Sequence, residues 1–387
     1  MMASRVFRTA IPIRRRVATL ALATVTVCSL AFPASALALV SVDDQELAHG
    51  DNSVGGGTAT LSDTDLSMTD VTANNVYMDE SLTVNFNGGN EIEDFAVGGS
   101  ATVEVNFTGE NEVEDMYAVD DSNVTVNADG HNDFEEINAY DNANVTVNVT
   151  GENDFEDIEA WGNASITVSG TDCQMKDIAN IGEGEHDAGL YAEKGNVKID
   201  HVTVNMKSET ARVGSGSGNL IIDTSKVASE DDNEYTEIIA GGTMTITESV
   251  IDITGTVHSD GQMTIEHSDV KAEAPDAKYD TSPYRVYSKT GIELIREKNG
   301  EVKTGELDGQ KVWYVDTDDG DDVDLEADGK PGYYGCDDDD DDDSDDSKTR
   351  ATSSKTGDDT NLWAFAALVV ASAGTAGFAA RRRGKSA

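Results

Sequence analysis

The sequence predicts an all-β protein, a single-stranded parallel β-helix (β-solenoid) with rungs of about 21 residues. Three observations predict it. Four segments repeat without insertion at a period of 21: LTVNFNGGNEIEDFAVGGSAT (82–102), VEVNFTGENEVEDMYAVDDSN (103–123), VTVNADGHNDFEEINAYDNAN (124–144) and VTVNVTGENDFEDIEAWGNAS (145–165). A fifth copy opens with ITVSG at 166–170. Apolar positions superpose, as in Val84, Val105, Val126, Val147 and Val168, or Phe95, Met116, Ile137 and Ile158. The VTV stretches alternate with period two, the sign of a strand with one buried face. Finally, polar residues recur in register. Asn85, Asn106, Asn127 and Asn148 form one series, Asn90, Asn111, Asn132 and Asn153 a second, and Gly88, Gly109, Gly130 and Gly151 a third. A sandwich of unrelated antiparallel strands has no reason to keep such registration. A coil does: one copy is one turn, and equivalent residues stack about 4.8 Å apart. The asparagines then form amide ladders, one along a side and one at a corner, with glycine turning the chain before that corner.

The elements follow in chain order. Arg5, Arg8, Arg14, Arg15 and Arg16 precede an apolar run (17–32) and the small-residue pattern Ala34-Ser35-Ala36-Leu37-Ala38. This is the layout of a secretory signal peptide over 1–38, expected as a helix, and it implies export. Residues 39–60 are Gly-rich and polar, which predicts a flexible leading segment. The solenoid is assigned to 61–295. Past residue 170 its rungs take looser lengths, as in SGSGNLIID (215–223), IAGGTMTITESVIDI (239–253) and VHSDGQMTIEHSDV (257–270). Residues 296–335, with KVWYV at 311–315, are assigned to a C-terminal cap. Asp337–Asp343, Asp345 and Asp346 make 336–356 an acidic, disordered stalk, a self-repelling spacer. In 357–387, the uninterrupted apolar stretch 362–380 is followed by RRRGK (381–385). At about 1.5 Å per residue it is long enough for a transmembrane helix, its arginines held in the cytoplasm.

Two segments resemble known families. The pattern of small polar turn, Gly and alternating apolar residues over about 188–295, best in AGLYAEKGNVKIDHVTVNM (188–206), resembles the carbohydrate-binding-domain-containing β-helix surface proteins. The rungs at 82–170 depart from that pattern in being acidic. The C-terminal order of pentapeptide, apolar span and basic tail resembles the LPxTG-type cell-wall sorting signal of Gram-positive surface proteins. Lys355, Thr356 and Gly357 match it, while Ser353 and Ser354 stand where the family has Leu and Pro. The resemblance implies that a sortase cuts between Thr356 and Gly357 and joins Thr356 to the cell-wall peptide cross-bridge. Without cleavage, 362–380 is a single-pass membrane anchor. Both routes display the solenoid on the extracellular face of a Gram-positive cell.

Charge narrows the partners. The chain holds 75 acidic and 27 basic residues, a net charge of −48, and residues 17–175 contain 30 acids and no Lys or Arg. Nucleic-acid phosphates and anionic lipid surfaces are excluded as main partners. The acids fall into columns: Glu91, Glu112, Asp133 and Asp154; Glu93, Glu114, Glu135 and Glu156; Asp94, Asp115, Glu136 and Asp157. Neighbours one rung apart repel by about 0.8 kcal/mol in bulk water and about 3 kcal/mol at an effective dielectric of 20. Either the side chains splay into screening solvent, or divalent cations bridge rungs, Ca²⁺ being the natural candidate for carboxylate oxygens. Asp324, Glu326, Asp328 and Gly329 have Ca²⁺-loop spacing but no closing Glu. Of the cysteines, Cys28 lies in the leader, and Cys173 and Cys336 are left for an optional disulfide.

Two function classes remain. Tyr140 and Trp161 end a column that begins Gly98 and Val119, with Tyr117 beside it, and exposed rings in a row stack on sugars. This points to adhesion or binding of a glycan or matrix ligand without catalysis. The alternative is a β-helical polysaccharide lyase or glycoside hydrolase. Lyases of this kind draw on Arg or Lys, and here only Arg212, Lys198, Lys207 and Lys226 lie near, downstream of the acidic rungs. Hydrolysis needs two carboxyl groups of unequal pKa, a local exception, whereas these acids recur by rule.

Overall fold

The computed structural model describes residues 40–170, 177–182, 187–230, 233–317 and 322–337. The signal peptide, Cys173, stalk residues 338–356, the sorting residues Lys355, Thr356 and Gly357, and the apolar span 362–380 lie outside the described residues. Among the described residues the one helical element is a 3₁₀ turn, Gly332–Asp337, and no helix is long and apolar enough to cross a membrane.

The chain winds as an all-β parallel solenoid of about nine turns. Each rung contributes to two sheets. A 13-stranded Val–Thr sheet holds the alternating segments, and a 19-stranded sheet holds the acidic ones. Across 82–170 the pairing keeps the 21-residue register: Val103, Val124, Val145 and Ile166 are partners in one sheet, and Met116, Ile137 and Ile158 in the other.

The inward residues fill the space between the sheets at nearly constant volume. Phe86 and Phe107 project from the Val–Thr sheet opposite Ile92 and Val113; one rung on, Ala128 and Val149 take their place, and Phe134 and Phe155 replace the small partners. The rings remain in contact as the bulk changes sides, with centroids 4.7 Å apart for Phe86–Phe107 and 5.1 Å for both Phe107–Phe134 and Phe134–Phe155. A core at crystal-like density requires this compensation.

At the corner between the sheets the amide ladder forms. The side-chain amide of Asn90 donates to Asn111, Asn111 to Asn132 and Asn132 to Asn153, each at 2.9 Å, and all four residues are buried. Gly109 and Gly130 enter it at φ +104°, a conformation costly for any residue with a Cβ. A second ladder runs outside the Val–Thr sheet through Asn85, Asn106, Asn127 and Asn148 at 2.7–3.0 Å, ending on Ser169.

In the acidic sheet the alternation breaks. Ile92 and Phe95 both point inward, so Glu93 and Asp94 between them both point outward, and the pattern recurs in each copy. Two successive outward residues bend the strand. This bend is where later rungs take extra residues: residues 152–155 of one strand pair with 178–181, and 158–160 pair with 190–192. Rung length then varies from 19 to 31 residues, as the pairs Ile166–Val197, Val197–Leu220, Leu220–Met244, Met244–Met263 and Met263–Ile292 show.

Both ends are closed by antiparallel strands. The segment 39–60, expected from composition to be flexible, instead carries strands over its described residues: Val40–Val42, Gln45–Glu46, Gly50–Val54 and the start of Gly57–Leu61. Val40–Val42 pairs with the first rung at 76–78, and Gly50–Val54 and Gly57–Leu61 form a hairpin that pairs with 65–69. Gly55 and Gly56 are its two-residue turn, both at positive φ, and the same glycines that lower the hydrophobicity of the segment build the hairpin. At the far end a hairpin of Glu301–Leu307 and Gln310–Asp316 pairs with 287–288, and Val323–Leu325 pairs with 270–272. The acidic sheet is thereby covered at both ends, while the Val–Thr sheet ends at Ile292–Ile295 among the described residues.

Candidate functional site

The outward face of the acidic sheet carries three adjoining lanes, each one residue per rung. At the bend run Asp94, Asp115, Glu136 and Asp157, continued by Gly189, Arg212 and Glu237. Two residues on, about 6.6 Å along the strand, run Tyr77, Ala96, Tyr117, Asn138, Glu159, Tyr191, Gly214, Ile239, His258 and Tyr287. At the following turn come Gly98, Val119, Tyr140 and Trp161, whose backbone amides bond the rung before.

The candidate cation ligands occupy the register expected of them. Glu91, Glu112, Asp133 and Asp154 are cross-strand partners, as are Asp94, Asp115, Glu136 and Asp157. Glu93, Glu114, Glu135 and Glu156 form the outer side of the bend. Their proximity shows in their protonation. Burial, then the carboxylates of Asp115, Glu93 and Glu114, push Asp94 up to about 6. Burial and four neighbouring acids raise Glu135 as well. Asp154 differs, lying 3.8 Å from His131 and 4.0 Å from Lys207. Among the described residues no three His, Cys, Asp or Glu side chains form a metal-holding group, so the ladder offers cations successive pairs rather than a closed cage. Asp324 and Glu326 line a cavity of about 360 Å³ together with Lys271 and Lys298, cations that work against a metal there.

The three candidate rings are not equivalent. Tyr117 is only 7% exposed, so it cannot stack on a ligand. Its lane neighbours Ala96 and Asn138 are small, the ring settles onto the sheet between them, and Tyr140 covers it at a centroid distance of 6.4 Å. Tyr140 is half-buried. Trp161 is 37% exposed and is the one exposed large apolar side chain among the described residues.

Beside Trp161 lies a group that residue spacing does not single out. Glu159 takes the lane position held by Tyr117 and Asn138 in the rungs before. Burial and the Glu136 charge push it up to about 7, against the pull of Arg212 and a hydrogen bond with Trp161. Asp157, on the same strand, is pushed up to about 8 by burial and by Glu159, Glu136 and Glu156, although Gly189 N–H donates to its Oδ1 at 2.6 Å. The only signal in sequence is the departure of Glu159 from its own column.

One rung further the face changes character. Arg212 lies over the Tyr191 ring at 5.1 Å and donates through Nε to Glu237 at 2.9 Å. His258 Nε2 lies 3.0 Å from the other Glu237 oxygen, and its ring stacks on Tyr287 at 5.0 Å. Burial alone would raise Glu237, but His258 and Arg212 outweigh it and hold the carboxyl below its usual range. No protein-family model matches the chain, and no curated protein or solved structure is significantly similar to it.

Proposed function

We propose that the protein is a cell-surface, non-catalytic solenoid that binds a glycan, in adhesion or matrix attachment, on the outer face of a Gram-positive cell. The observation that carries the reading is Trp161: the one exposed large apolar side chain among the described residues, one rung from Tyr140 and two residues from the raised carboxyl of Glu159. A flat apolar platform ringed by carboxylates and amides is the surface that a sugar, apolar on its faces and hydroxylated at its rim, can dry and bond. The display rests on the signal peptide at 1–38 and the C-terminal segment, whether sortase uses Lys355, Thr356 and Gly357 or 362–380 stays in the membrane. Ca²⁺ has a supporting role in this proposal, bridging carboxylates of successive rungs.

The test is retention of the full chain, purified in detergent, on a polysaccharide panel, with reducing ends and unsaturated products assayed in the same tubes. Retention that Trp161→Ala abolishes, without products, is expected. A second reading, a polysaccharide-degrading enzyme, draws support from the raised pair Asp157 and Glu159, since a carboxyl protonated near neutrality can act as a general acid. Product release would establish it. Isothermal titration with Ca²⁺ and melting with a chelator check the metal; no heat and no shift would remove it.

A further inference from the structure

We propose that the glycan is cationic: an amino-sugar polymer bearing protonated amines, laid along the rungs with its sugar faces on Trp161 and Tyr140 and its ammonium groups over the bend carboxylates. The inference deepens the glycan reading and rests on it. Its ground is charge complementarity read against a control inside the same molecule. The bend lane descends one carboxylate per rung through Asp94, Asp115, Glu136 and Asp157, and the residues from 17 to 175 supply no Lys or Arg to any of these rungs. The next rungs of the same lane show that the fold accepts cations there: Arg212 sits two rungs below Asp157 and is paired with Glu237, which His258 meets through its other oxygen. Among the described residues no Lys or Arg meets Asp94, Asp115, Glu136 or Asp157, while Lys207 reaches Asp154 beside the lane and Arg212 pulls on Glu159.

The choice of a glycan over a Lys- or Arg-rich peptide follows from how the groups adjoin. In the rung ending at Trp161, Asp157, Glu159 and the indole occupy alternate outward positions of one strand and its turn. A sugar presents a flat face and an amine on one rigid unit, so both are engaged without ordering a flexible side chain. A neutral glycan would leave the carboxylates desolvated and unrewarded, and a uronate polymer would be repelled. Protonation agrees: Asp157 faces Glu159, Glu136 and Glu156, Glu159 faces Glu136 and Arg212, and both lie above the ordinary carboxylate range. An ammonium placed over them favours the ionised forms, so binding near pH 7 releases protons.

The experiment compares the full chain, in detergent at pH 7, for binding to a β-1,4-glucosamine polymer, the fully N-acetylated polymer, a neutral β-glucan and polylysine. Calorimetry in buffers of different ionisation enthalpy reads proton release. Binding of the glucosamine polymer alone among the glycans, weakened by salt and accompanied by proton release, is expected. Replacing Asp115, Glu136 and Asp157 together by Asn, Gln and Asn, which keeps their shapes, should weaken it about tenfold. The same charge change at Glu293, Glu306 and Asp308, exposed and off the acidic lane, should not, and equal melting temperatures control for folding. Equal, salt-indifferent binding of the acetylated and neutral polymers overturns the cationic proposal and leaves the glycan reading standing. Retention of no glycan overturns both. Polylysine binding as tight as the glucosamine polymer, indifferent to Trp161→Ala, also overturns it, since the face would then be a sink for charge.

Discussion

Two stretches of one solenoid solve the same structural problems with different chemistry. From 82 to 170 the corner is a buried asparagine ladder, the period never departs from 21, and the acidic face has no Lys or Arg of its own. From 202 to 268 the same corner is a serine column, in which Val202 N–H donates to Ser225, Ser225 N–H to Ser249 and Ser249 N–H to Ser268, at 3.1–3.3 Å. There rung length varies and acids meet bases: Lys198 with Asp200, Arg212 with Glu237, His267 with Glu248, Lys289 with Asp260. Since one chain builds both versions, neither a strict period nor a stretch without its own Lys and Arg is a requirement of the fold. The first stretch keeps them for another reason.

The corner gives the largest expected contrast. Asn132 accepts from Asn111 and donates to Asn153 in a buried site, so Asn132→Leu leaves the Asn111 side-chain N–H without its acceptor and Asn153 Oδ1 with only the backbone N–H of residue 132. We expect a loss of about 2–5 kcal/mol. Ser249→Ala removes one hydroxyl that accepts Ser225 N–H and donates to Thr247 O, and should cost about 1–2 kcal/mol. Urea unfolding of the two variants checks the ratio; equal losses would mean that the amide ladder is no stiffer than the serine column.

Mild acid should move the first stretch and leave the second level. Asp157 titrates near 8 and Asp94 near 6 in the folded chain, above the unfolded value of about 3.9. The native state therefore holds more protons than the unfolded one, and stability rises as pH falls from about 8 to about 4. Glu237 is held below its usual range; the stability it contributes is present above an unfolded pKa of about 4.3 and is lost only as pH falls below that. Hydrogen exchange, corrected for its intrinsic pH dependence, should show 91–160 gaining protection between pH 8 and 5 while 210–258 stays level. Asp157→Asn should remove most of the gain.

Much of this was legible in residues, and the limits have physical causes. A repeat with no insertion forces register, so the parallel sheets, the Asn85 and Asn90 ladders and the turn at Gly109 follow from spacing alone. Tyr117 did not, because exposure depends on what the neighbouring rungs place beside a ring, and Ala96 and Asn138 leave it room to lie down. The flexibility expected of 39–60 does not hold over residues 50–60, because Gly and polar side chains also build a tight hairpin. The pair Asp157 and Glu159 was invisible, since a shifted protonation depends on burial and like charge, and the sequence marks it only as one residue out of column.

The smallest expected effect is the sharpest test of why the first stretch is so regular. Later rungs take extra residues where the acidic strands bend, between positions equivalent to 155 and 158, and the sheets on both sides continue to pair. Glu114 and Asp115 sit at that bend, outward and outside the core. Inserting Gly-Ser-Gly-Ser between them should therefore cost only loop closure, about 1 kcal/mol, with the Asn111–Asn132 ladder and the flanking pairs intact. The same insertion splits the carboxylate lane and should weaken glycan retention by more than it lowers the melting temperature would suggest. If the insertion unfolds the chain, the period of 21 is a demand of packing, and the regularity says nothing about a ligand. If it folds and still binds as before, the lane above Asp115 is not part of the surface, and the site shrinks to the rung of Asp157, Glu159 and Trp161.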